Sequence, residues 1–176
     1  MEERIVVAKG LFTLYRGHFI QMHRDGVLED YRDCGIERQT EIEWYQELIA
    51  KLSLDLSIRD WDAVSSLEAL AKYYQDERML ESVMNFITRQ IMGADSIVKL
   101  MYAERLISLI VSLRPVITQE NRYSAYQQAL RILEDILAKP LVIDPGHDLH
   151  HYHLKDKKSL NLRAQKSIDE IMLLRF

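Results

Sequence analysis

DSIVKLMYAERLISLIVSLR, residues 95–114, decides how the chain is read. It contains no glycine or proline, and Pro115 follows it directly. Wound at about 100° per residue, it gathers Glu104, Arg105, Ser108 and Ser112 on one narrow stripe. Large apolar residues from Ile97 to Leu113 fill most of the remaining circumference. A helix apolar on so many sides cannot lie on a surface and has to be wrapped by other helices. The stretch therefore predicts an all-α protein built around a buried central helix.

Outward from it, the same period recurs. Towards the N-terminus, Leu80, Val83, Ile87 and Ile91 stripe a helix that Asp76 can cap. Val64, Leu67, Leu70, Ala71 and Tyr74 stripe the one before, ending near Gln75. So short a link predicts an antiparallel hairpin. Residues 36–56 carry Ile42, Tyr45, Ile49 and Leu52 on one face and four glutamates elsewhere. Residues 3–24 read as one amphipathic helix through Ile5, Ala8, Phe12, Tyr15, Phe19 and Met22, with Gly10 and Gly17 one heptad apart on its outer side. Residues 26–35 read as a loop or short extra turn between glycines.

Towards the C-terminus, Gln119–Lys139 is a helix ended by Pro140. Residues 140–156 form a non-periodic, histidine-rich connector, and 157–175 a terminal helix. The expectation is a single domain, 1–176, of about seven helices in sequential antiparallel hairpins, as a bundle or a short right-handed superhelix.

Leu67, Leu70, Ala71, Tyr74, Val83 and Ile87 are spaced like the packing residues of one tetratricopeptide repeat. The stretch resembles that family over about one repeat period. The resemblance implies helix pairs stacking in chain order, with a concave face that binds peptides. One period later, Glu104, Arg105 and Ser108 stand where the family places apolar or small residues.

Composition narrows the function classes. The net charge of −4 argues against nucleic-acid binding over the whole surface. Cys34 is the single cysteine, so no intrachain disulfide can form. The N-terminus lacks a signal-like apolar run, and no apolar stretch approaches a membrane span. A cytoplasmic protein is expected. No Gly-rich phosphate loop, nucleophile elbow, paired-cysteine motif or Glu-x-x-His pair occurs.

Four of the six histidines fall between positions 147 and 153. Asp144-Pro145 is a fair helix start, and a short helix there places His147, His150 and His151 on one face. His147 and His151 have the four-residue spacing by which zinc proteases hold their metal. Asp148, however, is a methylene shorter than the glutamate base that chemistry uses. Three readings stay open: a solvated loop, a divalent metal site for zinc or nickel at His147, His150 and His151, or part of a catalytic or phosphate-handling site. Residues 147–176 are net basic, six Lys or Arg against four acids. Lys155, Lys157, Lys158 and Arg163 are the candidates for nucleic-acid or phosphate contact. Cys34 would need a neighbouring base to act as a nucleophile.

The resulting expectation is a non-catalytic helical module that binds a protein partner or forms a homodimer. The alternative is a metal-dependent or nucleic-acid-processing helical protein that uses the histidine tract and the basic segment beside it.

Overall fold

The computed structural model describes residues 1–174. Among them the chain is all-helical, with nine α-helices, two short 3₁₀ turns and no strand. No helix of the described residues is long and apolar enough to cross a membrane. The chain divides into two compact units, Met1–Leu54 and Asp55 onward.

The first unit holds α1 (Glu2–Tyr15), α2 (Phe19–Arg24), α3 (Leu28–Asp33) and α4 (Arg38–Leu54). The helix expected over 3–24 is broken. Arg16 turns left-handed at φ 50°. The Arg16 amide then donates to the Thr13 carbonyl and the Gly17 amide to that of Phe12, which is the Schellman pattern of helix termination. His18 starts α2 afresh, its Nδ1 accepting from the Gln21 amide at 2.9 Å. Gly17 does not lie on an outer side. Its φ is +66°, the Tyr45 hydroxyl donates to its carbonyl at 2.8 Å, and a Cβ there would lie 2.4 Å from Tyr45 Cε1. The 26–35 stretch contains a true helix, α3, between Gly26 and Gly35. This extra element and the break at Gly17 raise the helix number above the expected seven or so.

Rings fill this unit's core. Phe12 meets Tyr45 edge-on at 4.7 Å and Trp44 at 5.3 Å, and Phe19 meets Tyr31 at 5.5 Å. Such contacts add to the apolar burial of the same rings. They let a 54-residue unit hold four helices together.

The second unit comprises α5 (Asp62–Leu70), α6 (Glu77–Gln90), α7 (Ser96–Leu113), α8 (Gln119–Ala138) and α9 (Lys157–Leu174). Arg175, the last residue expected of the terminal helix, lies outside the described residues. α5 is shorter than its stripe suggests, closing at Leu70 and passing through turns to Asp76. Caps explain most starts: Asp76, Asp95, Thr118 and Asp156 each accept a backbone N–H from the first turn of α6, α7, α8 and α9. α7 is buried over most of its length and touches α5, α6, α8 and α9. Of its apolar residues only Val111 is exposed.

Three polar groups that α7 carries inward are paired, whereas Arg105 Nε is buried without a hydrogen-bond partner. Lys99 donates to Asp135 of α8 at 2.8 Å. The Tyr102 hydroxyl donates to the Ser57 carbonyl and accepts from the Ser57 amide. Ser108 donates to the buried Glu68 of α5 at 2.9 Å. Each pairing removes a desolvation penalty that an orphaned group would carry.

Candidate functional site

The connector 140–156 contains turns and no helix. Asp144, Pro145, Gly146 and His147 close a turn in which the His147 amide donates to the Asp144 carbonyl at 2.9 Å. The helical face expected to carry His147, His150 and His151 therefore does not form. His147 turns inward. His150 and His151 are exposed; the His150 amide donates to Asp148, and the His151 ring sits edge-on to Tyr152 at 5.0 Å.

His147 meets a carboxylate that the sequence offered only as a helix cap. The Asp95 side chain is 0% exposed, and its Oδ2 lies 2.5 Å from His147 Nδ1. The same oxygen accepts from the Asp144 amide at 3.0 Å, while Oδ1 caps α7 by accepting from the Val98 amide at 2.8 Å. One residue further, the Ser96 amide donates to the Val142 carbonyl and the Val142 amide donates to Ser96 Oγ. The connector is thus fastened across the N-terminus of α7 by four contacts. Trp61, just ahead of α5, lies 5.6 Å from the His147 ring and 4.9 Å from that of Tyr152.

Burial by itself would lower the His147 pKa. The hydrogen bond and charge of Asp95 outweigh it, aided by the Arg59 backbone and the Asp144 charge, and the ring is held above its ordinary value. The charged form of the ring is therefore favoured relative to an imidazole free in water.

Asp95, Asp144 and His147 are also the one group of potential metal ligands found among the described residues, each offering an atom within 4.8 Å of the others. His150 and His151 are not in it. The donor set suits a borderline or hard cation. Hydrogen bonding competes for it: both Asp95 oxygens already accept N–H groups, and His147 Nδ1 is engaged by Asp95. Only the exposed Asp144 carboxylate has no hydrogen bond of its own in this arrangement. A cation would have to displace the bridge and leave the Asp144 amide short of its acceptor.

The basic residues are not gathered into one free patch. Arg163 makes a two-pronged pair with Glu104 of α7, at 2.6 and 2.8 Å. Lys157 donates to the Ile136 carbonyl near the end of α8. Lys155 and Lys158 are exposed. The Arg163–Glu104 pair lies in a cleft of about 290 Å³ between α7 and α9, with Lys166 and Glu170 also on its walls. Cys34 is half-buried, and its thiol donates to the Asp30 carbonyl at 3.3 Å, one helical turn back in its own chain.

The other distinctive surface is α1. Only Ala8 and Phe12 of this helix are buried. Val6 is 70% exposed and Leu14 74%, with Val7 also exposed. Gly10 lies between them with open space around it. Nothing in the charge pattern marks this face, because Ala8 and Phe12 claim the apolar period and Val6, Val7 and Leu14 look like surplus.

No family model, no curated protein and no solved structure matches the chain.

Proposed function

We propose that the chain is a non-catalytic helical interaction module that associates with a second copy of itself through the outward face of α1. The observation that carries this reading is the exposure of Val6, Val7 and Leu14 on either side of an unobstructed Gly10. An apolar stripe left in water around a small residue is the feature a close-packed helix pair requires. The stripe suits a two-fold arrangement. An antiparallel crossing at Gly10 lays Val6 of one copy against Leu14 of the other, and sets the two helix dipoles in opposition.

A 14-residue helix is about 21 Å long. A pair of such helices buries less than the roughly 1,200–2,000 Å² of a standard stable interface. The dimer is accordingly weak and concentration-dependent. Light scattering across a concentration series tests it. The wild type should gain mass with concentration, and Val7→Asp/Leu14→Asp should stay monomeric with unchanged helical circular dichroism. A wild type that is monomeric throughout, or a double variant that dimerises equally well, refutes the proposal.

A further inference from the structure

We propose that the cleft between α7 and α9 binds a small zwitterion, a free α-amino acid. Lys166 and Ser167 take its carboxylate, and Glu170 and Ser108 its ammonium. The polar stripe of an otherwise apolar α7 opens into this cleft, with Glu104 and Ser108 on one wall. Arg163, Lys166, Ser167 and Glu170 form the other wall, at the i, i+3, i+4, i+7 spacing of a single helix face. A face turned towards a neighbouring helix ordinarily carries apolar residues. This one carries three charges and a hydroxyl, and the two helices leave about 290 Å³ between them.

One end of the cleft is internally satisfied, because Arg163 and Glu104 hold each other and Arg163 also donates to the Tyr152 carbonyl. The remaining groups are not. Ser167 is only 6% exposed, yet among the described residues its hydroxyl forms no hydrogen bond. It does not turn back onto its own helix as Ser53 does onto the Ile49 carbonyl. A buried hydroxyl without a partner carries a desolvation cost that a bound acceptor removes. Lys166 and Glu170 stand exposed one turn apart, and among the described residues neither makes an ion pair or a hydrogen bond. Ser108 gives its proton to Glu68 of α5, so its oxygen offers the cleft only lone pairs. Charge balance then selects the ligand. Arg163 and Lys166 are set against Glu104 and Glu170, two cations against two carboxylates. A simple anion drawn to Lys166 is repelled by Glu170, and a simple amine meets the reverse; a molecule with both charges satisfies both. Glu170 lies about 5 Å along α9 from Lys166 and Ser167, a span that one α-amino acid bridges with a hydrogen bond at each end. The cleft is at the small end of ligand sites, and Ile107 is its one apolar wall residue, so the ligand's side chain is small.

Amide NMR of the full chain, titrated with L-alanine and L-serine, tests the proposal. Saturable shifts should be confined to residues 104–108 and 163–170, with half-saturation on the order of 1 mM. Acetate and ethylamine each carry one of the two charges and should bind at least about tenfold more weakly. Ser167→Ala should weaken amino-acid binding several-fold, and Lys166→Met and Glu170→Gln about tenfold each. None of the three variants loses an internal bond, so their thermal unfolding should match the wild type; Ser167→Ala should be slightly more stable, alanine being the better helix former. The proposal is overturned if neither amino acid gives saturable shifts in the cleft up to about 20 mM, or if acetate or ethylamine binds as tightly as alanine. It is equally overturned if the folded variants keep wild-type affinity.

Discussion

Replacing Asp95 with alanine removes one carboxylate and strands three donors at once. The Val98 amide loses its cap, worth about 1 kcal/mol in typical helices. The His147 imidazolium loses a charge-assisted hydrogen bond, worth about 1.5–3 kcal/mol. The Asp144 amide loses an acceptor worth about 0.5–1.5 kcal/mol. Together these predict a loss of about 3–5.5 kcal/mol at pH 6. A unit of about 120 residues has roughly 6–18 kcal/mol in all, so the loss is large. Urea unfolding followed through Trp61 emission in the Trp44→Phe background measures it on the second unit alone. The pH dependence has a definite sign. The folded His147 pKa is raised, so its share of stability is fully present below the unfolded value near 6.5 and is lost as pH rises through the folded value. The gap between wild type and Asp95→Ala should therefore narrow at alkaline pH, towards the two backbone contributions. A gap below about 1 kcal/mol at pH 6, or one that widens with pH, would refute the account, since only a helix cap would then be left.

Two further changes probe the packing. Gly17→Ala places a methyl group 2.4 Å from the Tyr45 ring at a φ of +66°, and should cost the first unit about 2–4 kcal/mol, read through Trp44 emission. Gly10→Ala meets open space inside a helix. It should stabilise that unit by up to about 1 kcal/mol while weakening dimerisation in light scattering. Acid should act on Asp135. Burial raises its pKa, but Lys139 and Lys99 overcome that and hold it below the usual carboxylate range. Its contribution is present above the unfolded value and lost as pH falls through the lowered one. Asp135→Asn should therefore flatten the acid limb of the stability curve of the second unit.

The helical class was legible because apolar period and capping residues agree along most of the chain. Asp76 and Asp95 announce α6 and α7 in the sequence, and both side chains accept the N–H bonds their positions suggest. The break at Gly17 was not legible, because Phe12, Tyr15, Phe19 and Met22 keep helical spacing across it. It follows from Arg16 adopting a left-handed conformation and from Tyr45, 28 positions away, holding the Gly17 carbonyl. The histidine tract was visible as composition, and its arrangement was not. Local spacing favoured a helix from Asp144, whereas a buried carboxylate 52 positions away draws His147 inward and leaves His150 and His151 in water. The signal that could have pointed there is Asp144-Pro145-Gly146, a turn sequence as good as it is a helix start. Lys157 and Arg163 read as free cations for the same reason: their acceptors, on α8 and α7, are remote in sequence.

The 52-position span between Asp95 and His147 also bears on the order of assembly. A link that distant gains nothing until α7 and α8 already lie side by side, because the chain between them must first be drawn into a loop. Formation of the His147 and Asp144 bonds at Asp95 is therefore a late event that follows docking of the hairpin. In kinetic terms, losing the His147 and Asp144 bonds belongs on the unfolding limb of a chevron and hastens escape from the native state, whereas the Val98 cap, three residues from Asp95, is local and forms with α7 itself.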